Sequence, residues 1–225
     1  MPGRGIVLTT DEIYHVFNKG IDSRTTFTTL REYSRAELTI SFYRFIAPPM
    51  RLSYYLGKSK EEKANIFDKF KKDNEKLIDI YCYCLMPNHY HFLLRQKVDS
   101  GIAKFMSQIQ NSYTRYFNTR HKRIGALFLE QFKAKRIEND EQLLHVSRYI
   151  HLNPYTAHLL EKIKDLENYP WSSFKEYANP GSDNICDTDN ILSYFKTKND
   201  YKDFVYNRAE YQRELDEIKH LMFEE

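Results

Sequence analysis

His89-Tyr90-His91 is the sharpest chemical feature of this sequence. In a strand, residues i and i+2 leave from one face, so both imidazoles can converge on one ion. Imidazole nitrogen suits Mn²⁺ or Zn²⁺ better than Mg²⁺, and a carbonyl or carboxylate oxygen is expected to complete such a set. A packed structural pair of histidines has the same spacing. A second group lies at His145, Tyr149 and Asn153, spaced i, i+4 and i+8 on one face of a helix. Tyr149 then stands one turn from an amide oxygen. A phenol is largely protonated at neutral pH, so a tyrosine nucleophile needs a metal-polarised electrophile beside it. Asn153 can serve that metal through its side-chain oxygen. The plainer reading makes Tyr149 one of 18 tyrosines and Asn153-Pro154 a helix end. Tyr113 and Tyr116 lie in a basic neighbourhood, and Tyr116 is the rival nucleophile. Only Tyr149 has an oxygen ligand at i+4.

These groups need a frame. Residues 12–19 alternate Ile13, His15 and Phe17 against Tyr14, Val16 and Asn18, which predicts a strand ended by Gly20. Residues 28–46 predict a helix with Leu30, Tyr33, Leu38, Phe42 and Phe45 on one side, stopped by Pro48 and Pro49. The Lys- and Glu-rich residues 57–74 predict an exposed helix whose apolar stripe is Ile66, Phe67 and Phe70. Residues 77–86 predict a strand with Ile78, Ile80, Cys82, Cys84 and Met86 on one face and Tyr81 and Tyr83 on the other. Pro87-Asn88 turns it into a second strand, residues 89–95. A helix is expected over 102–117, a basic turn over 121–125, and an extended segment returning to the sheet over 126–137. Asn139 can cap the next helix, with Gln142 three residues on and Asp140 and Glu141 suiting its dipole. Pro154 marks its expected end. Helical patterns over 188–195 and 201–223 follow a linker at Asn179-Pro180-Gly181-Ser182-Asp183. This succession predicts an α+β sandwich around a central antiparallel sheet flanked by helices. Residues 1–179 would form the catalytic domain and 180–225 a C-terminal helical extension.

With 225 residues, 41% of them hydrophobic and 29% charged, the chain can bury the core of one compact domain under a polar surface. A net charge of +3 does not announce nucleic acid, but its distribution does. Arg115, Arg120, Lys122, Arg123, Lys133, Lys135 and Arg136 stand against Glu130 alone, while residues 210–225 are acidic. Basic residues among aromatics form the footprint of a phosphate-tracking surface, and some of the 18 Tyr and 15 Phe can stack on bases. The competing reading is a solvated charged face. Cys82, Cys84 and Cys186, an odd number without framework spacing, argue against a disulfide scaffold and for a reducing compartment. Residues 1–10 contain no apolar signal region, and no apolar run reaches membrane-spanning length. A soluble, cytoplasmic protein with no membrane partner is therefore expected.

Met86-Pro87-Asn88-His89-Tyr90-His91-Phe92-Leu93-Leu94 resembles the HUH segment of single-tyrosine transposases. Arg148-Tyr149-Ile150-His151-Leu152-Asn153-Pro154 resembles their nucleophile helix. Tyr14-His15-Val16-Phe17-Asn18-Lys19-Gly20, Gly125-Ala126-Leu127-Phe128 and Tyr169-Pro170-Trp171-Ser172-Ser173 agree with the same family, in its order, over roughly residues 10–178. The similarity points to the REP-associated tyrosine transposases, relatives of insertion-sequence transposases that move as single strands. The resemblance implies a ferredoxin-like sandwich. It implies a divalent metal ion, Mg²⁺ or Mn²⁺, held by His89, His91 and Asn153. Tyr149 would attack a phosphate of single-stranded or hairpin DNA and become linked to its 5′ end. The freed 3′ hydroxyl can later attack the phosphotyrosine, so strands are exchanged in DNA transposition without nucleotide energy. Relatives act as monomers or as dimers that swap the tyrosine helix, so a homodimer is among the expected assemblies. The stretch over residues 48–74 is longer than the family core needs, and residues 183–225 lie outside the matched region. Two other functions use the same residues: a DNA-binding regulator that does not cut, and a metal-dependent phosphodiesterase that uses water.

Overall fold

The computed structural model describes residues 6–73, 75–179 and 184–214. Strands β1 (Ile13–Lys19), β2 (Ile78–Met86), β3 (His89–Gln96) and β4 (Lys133–Arg136) form one antiparallel sheet in the order β2-β3-β1-β4. Helix α1 (Leu30–Tyr43) joins β1 to the β2–β3 hairpin, and α4 (Gly101–Arg120) joins β3 to β4. Strand order and connections are those of a ferredoxin-like fold. The short helix α2 (Leu52–Leu56) and the longer α3 (Lys60–Asp73) fill the long stretch after α1. Leu52 and Tyr55 pack with Phe42, and Phe70 lies against Phe42 and Phe45, making a small satellite core.

The pleat sorts each strand between two cores. Tyr14 and Val16 join Ala36 and Ile40 of α1 and Ile102, Phe105, Ile109 and Tyr113 of α4 on one side. On the other side, helix α5 (Asp140–Thr156) buries Leu143 and Ile150 against the sheet. The alternation expected for β2 breaks at a bulge between Ile80 and Cys82. Ile78, Ile80, Tyr83 and Leu85 enter the α1/α4 core, whereas Tyr81, Cys82, Cys84 and Met86 enter the α5 core. One extra residue in a strand rotates everything beyond it by one pleat position. The single apolar face expected from Ile78 to Met86 is therefore shared between both sides.

Helix α1 is also turned from its expected face. Leu30 is 73% exposed, while Glu32 is fully buried on the line that continues through Ala36 and Ile40. Glu32 can occupy that line because Thr28 donates to it through both backbone N–H and hydroxyl, and His121 Nε2 lies 2.6 Å away. Helix α5 starts as expected, with the Asn139 side chain accepting from Gln142 N–H. It does not stop at Pro154, which lies inside it. Proline removes one helical donor, but burial of Leu152, Tyr155 and Thr156 and the Ala157 N–H bond to the Asn153 carbonyl carry the helix one turn further.

Beyond α5 the chain returns to the sheet. Leu85 N–H donates to the Trp171 carbonyl and Ser173 N–H to the Tyr83 carbonyl, so residues 171–173 cover the outer edge of β2. Helices α6 (Phe174–Ala178), α7 (Asp189–Leu192) and α8 (Lys198–Tyr206) follow. Helix α8 begins earlier than the apolar pattern suggests, because Thr197 and Asp200 form a reciprocal capping box. Tyr177, Ile191, Tyr201 and Val205 are buried in the same core as Ile150. The expected linker residues 180–183 and the acidic residues 215–225 lie outside the described residues. Cys82, Cys84 and Cys186 are free and buried. Among the described residues no helix is long and apolar enough to cross a membrane.

Candidate active site

The site lies on the α5 side of the sheet, and register explains its membership. Directly opposed residues in an antiparallel pair project to the same face. One row across the sheet runs Cys84, His91, Phe17, Lys133; its neighbours run Met86, His89, Lys19 and Leu93, His15, Lys135. The two histidines of the His-x-His segment thus share a face, with ring centroids 5.1 Å apart. Helix α5 lays Tyr149 over His91 and the neighbouring His15, its ring edge-on to the first at 5.5 Å and to the second at 5.9 Å. One turn on, Asn153 is buried, donates its amide N–H to the Tyr149 carbonyl, and hydrogen-bonds His89. His145, on the same helix stripe, points outward to Glu141 and Arg148. Tyr116 belongs to α4 and packs under Arg35 at the core on the opposite side of the sheet.

The side chains fit a divalent cation through their remaining donors. His89 Nδ1 is engaged by Asn88 Oδ1 at 2.6 Å and His91 Nδ1 by His15 Nε2 at 2.9 Å, which leaves Nε2 of His91 for a ligand; at His89 the hydrogen bond with Asn153 would give way to the shared cation. Burial, opposed only in part by the Asn153 hydrogen bond, pushes His89 down to about 4. Burial and the adjacent His15 and His89 hold His91 well below its ordinary value. Both rings are therefore neutral at pH 7, the form that binds metal. Among the described residues no group of three His, Cys, Asp or Glu is arranged to hold a metal. An amide oxygen from Asn153 would be the third donor. Beside His89 a cavity of about 150 Å³ opens between Phe17, Lys19, Asn88, Leu129 and Lys133.

The seven basic residues, adjacent in sequence, separate in space. Lys133 and Lys135 share the site face by their register with Phe17 and His15. Arg136 pairs with Tyr14, on the opposite face, and makes a two-pronged ion pair with Glu12 at 2.6 and 3.0 Å. Arg115, Lys122 and Arg123 line an open polar groove with Asn111, Asn118 and Thr119 at the end of α4. Arg123 also ties down the following turn through Asn118 Oδ1 and the Ala126 carbonyl. Arg120 lies 3.4 Å from the buried Glu32. His15 and Phe17 were not among the site residues expected from sequence. Their signals in the sequence are a shared parity in β1, opposite the apolar Tyr14 and Val16, and a place in the family-like segment from Tyr14 to Gly20.

The model of the IS200-like transposase family matches residues 41–153, just over half of the chain and ending on Asn153. The chain belongs to that family. Among solved structures, a REP-associated tyrosine transposase bound to a REP hairpin matches with a TM-score of 0.54 at 14% identity, over 82% of this chain and 90% of that one. What the two share at that identity is the fold. No curated protein sequence matches the chain.

Proposed function

We propose that this transposase nicks single-stranded DNA and transfers the strand, with Tyr149 as nucleophile beside a divalent cation held by His89, His91 and Asn153. The observation that carries the reading is the placement of the Tyr149 ring 5.5 Å from His91, while Tyr116 lies across the sheet. A bound Mn²⁺ or Mg²⁺ would polarise the scissile phosphate and offset its developing charge. Tyr149 loses its phenol proton and attacks phosphorus. The bond from phosphorus to the 3′ oxygen breaks, and that oxygen leaves as a protonated 3′ hydroxyl. The phosphate, still carrying the 5′ end, stays on Tyr149. Reversal by a different 3′ hydroxyl completes strand transfer with no net change in phosphodiester bonds. Lys133 and Lys135 flank the site on its own face, and Arg115, Lys122 and Arg123 offer a second contact region for the DNA backbone. The hairpin held by the structural relative is the reason to take hairpin DNA as substrate. Tyr149 and both histidines come from one chain, so the reading needs no helix exchanged with a second copy.

Labelled hairpin DNA with a single-stranded flank, incubated with Mn²⁺ and run on a denaturing gel, tests this. Wild type should give a covalent protein–DNA adduct, Tyr149→Phe none, and Tyr116→Phe an undiminished one. An adduct mapped by mass spectrometry to Tyr116 overturns the assignment. Cleavage without any adduct favours the water-using phosphodiesterase, and hairpin binding without cleavage favours the regulator.

A further inference from the structure

The metal reading leaves one buried histidine of the site without a task. His15 lies on β1, where register sets it opposite Leu93 and Lys135. Its ring instead reaches diagonally to His91, Nε2 to Nδ1 at 2.9 Å, with the rings 20° from parallel and 5.1 Å apart. Phe17 lies tilted by 31° against His15 at 4.9 Å and stacks on His91 at 5.6 Å, and Tyr149 meets both edge-on. The pair is held in this relation from two sides.

A hydrogen bond between two neutral imidazoles needs one protonated and one bare nitrogen. If His15 donates, His91 carries its own proton on Nε2 and has no lone pair left for a cation. If His15 accepts, the His91 proton sits on Nδ1 and Nε2 is bare. We propose that His15 is a positioning residue: its Nε2 accepts the His91 Nδ1 proton and so fixes the His91 tautomer and ring orientation that present Nε2 to a divalent cation. The proposal rests on the metal site proposed above. His89 has the same device in Asn88, whose Oδ1 takes its Nδ1 proton at 2.6 Å. Carboxylates often do this work for metal-bound histidines. Here both acceptors are uncharged, so neither adds a negative charge where an anionic DNA phosphate must approach.

Mn²⁺ titration of the full chain without DNA, by calorimetry or by the electron-paramagnetic signal of free Mn²⁺, tests the proposal. Four proteins are compared: wild type, His91→Ala, His15→Phe and His15→Gln. Phe keeps the ring packed among Phe17, His91 and Tyr149 but cannot accept a hydrogen bond; Gln offers an acceptor oxygen. His15→Phe should bind Mn²⁺ roughly 10- to 100-fold more weakly at an unchanged melting temperature, and His15→Gln should recover most of that loss. Wild-type affinity in His15→Phe, with binding lost in His91→Ala, overturns the positioning role and leaves the metal site standing. Equal affinities in wild type and His91→Ala overturn both. Weakening in Phe and Gln alike, with a matching fall in melting temperature, reduces His15 to a packing residue and also overturns the proposal.

Discussion

Around His91 four rings converge, those of His15, Phe17, His89 and Tyr149. Such packing leaves an imidazole little room to turn and makes its neighbours sensitive to small substitutions. Removing the His89 ring, at the opening of the cavity, should be cleaner. His89→Ala is expected to abolish cleavage while still binding hairpin DNA, because phosphate contacts elsewhere carry most of the affinity. Parallel gel-shift and cleavage assays read both quantities. Full cleavage by this variant in metal-free buffer would remove the case for a metal. At this scale the sequence was informative wherever chemistry follows local spacing. His89 and His91 are two apart on a strand, and Tyr149 and Asn153 are four apart on a helix. His15 stands in the sequence without a role because its partner is 76 positions away, a separation that no periodicity records.

The strand β4 shows what an element adds to a list of charges. Three of its four residues are basic, yet register sends Lys133 and Lys135 to the site and Arg136 to the far face, where Glu12 neutralises it. Replacing Lys133 and Lys135 together with Gln should flatten the log–log dependence of DNA affinity on salt by about one to two. Arg136→Gln should leave that slope unchanged. Salt titrations of the three proteins by fluorescence anisotropy decide the matter, and equal slopes throughout would place the DNA elsewhere. Most elements were legible, since β1, β3, α4 and the start of α5 each carry their own alternation, periodicity or cap. The bulge in β2 was not, because nothing within residues 77–86 marks where β3 skips a partner. Nor was the continuation of α5 through Pro154, which depends on burial against other parts of the fold. The exposed Leu30 and buried Glu32 have the same origin, as Glu32 is satisfied by His121, 89 positions away.

Across the whole molecule, α5 is held from behind as well as from the sheet. His151, fully buried on that helix, bridges the Tyr201 hydroxyl at 2.7 Å and the Ser173 hydroxyl at 2.9 Å. Burial pushes His151 down to about 3. An unfolded chain takes up this proton as pH falls below about 6.5, whereas the folded one resists until about 3. The contribution of neutral His151 to stability is thus complete above pH 6.5 and is lost progressively down to pH 3, on the order of a few kcal/mol. His151→Gln should be less stable than wild type at pH 7.5 but should lose stability less steeply between pH 6.5 and 4. Urea denaturation over that range measures the difference, and parallel declines would show that His151 is not the acid-sensitive group. The cover over β2 also has a consequence in time. Tyr83 emerges from the ribosome 90 residues ahead of Ser173, the residue that caps its edge. At common rates of translation that interval lasts roughly 5–18 s. Throughout it, Tyr81 to Leu85 presents an apolar edge with open backbone groups. A newborn chain must keep that edge from pairing with a neighbour until its own later residues arrive.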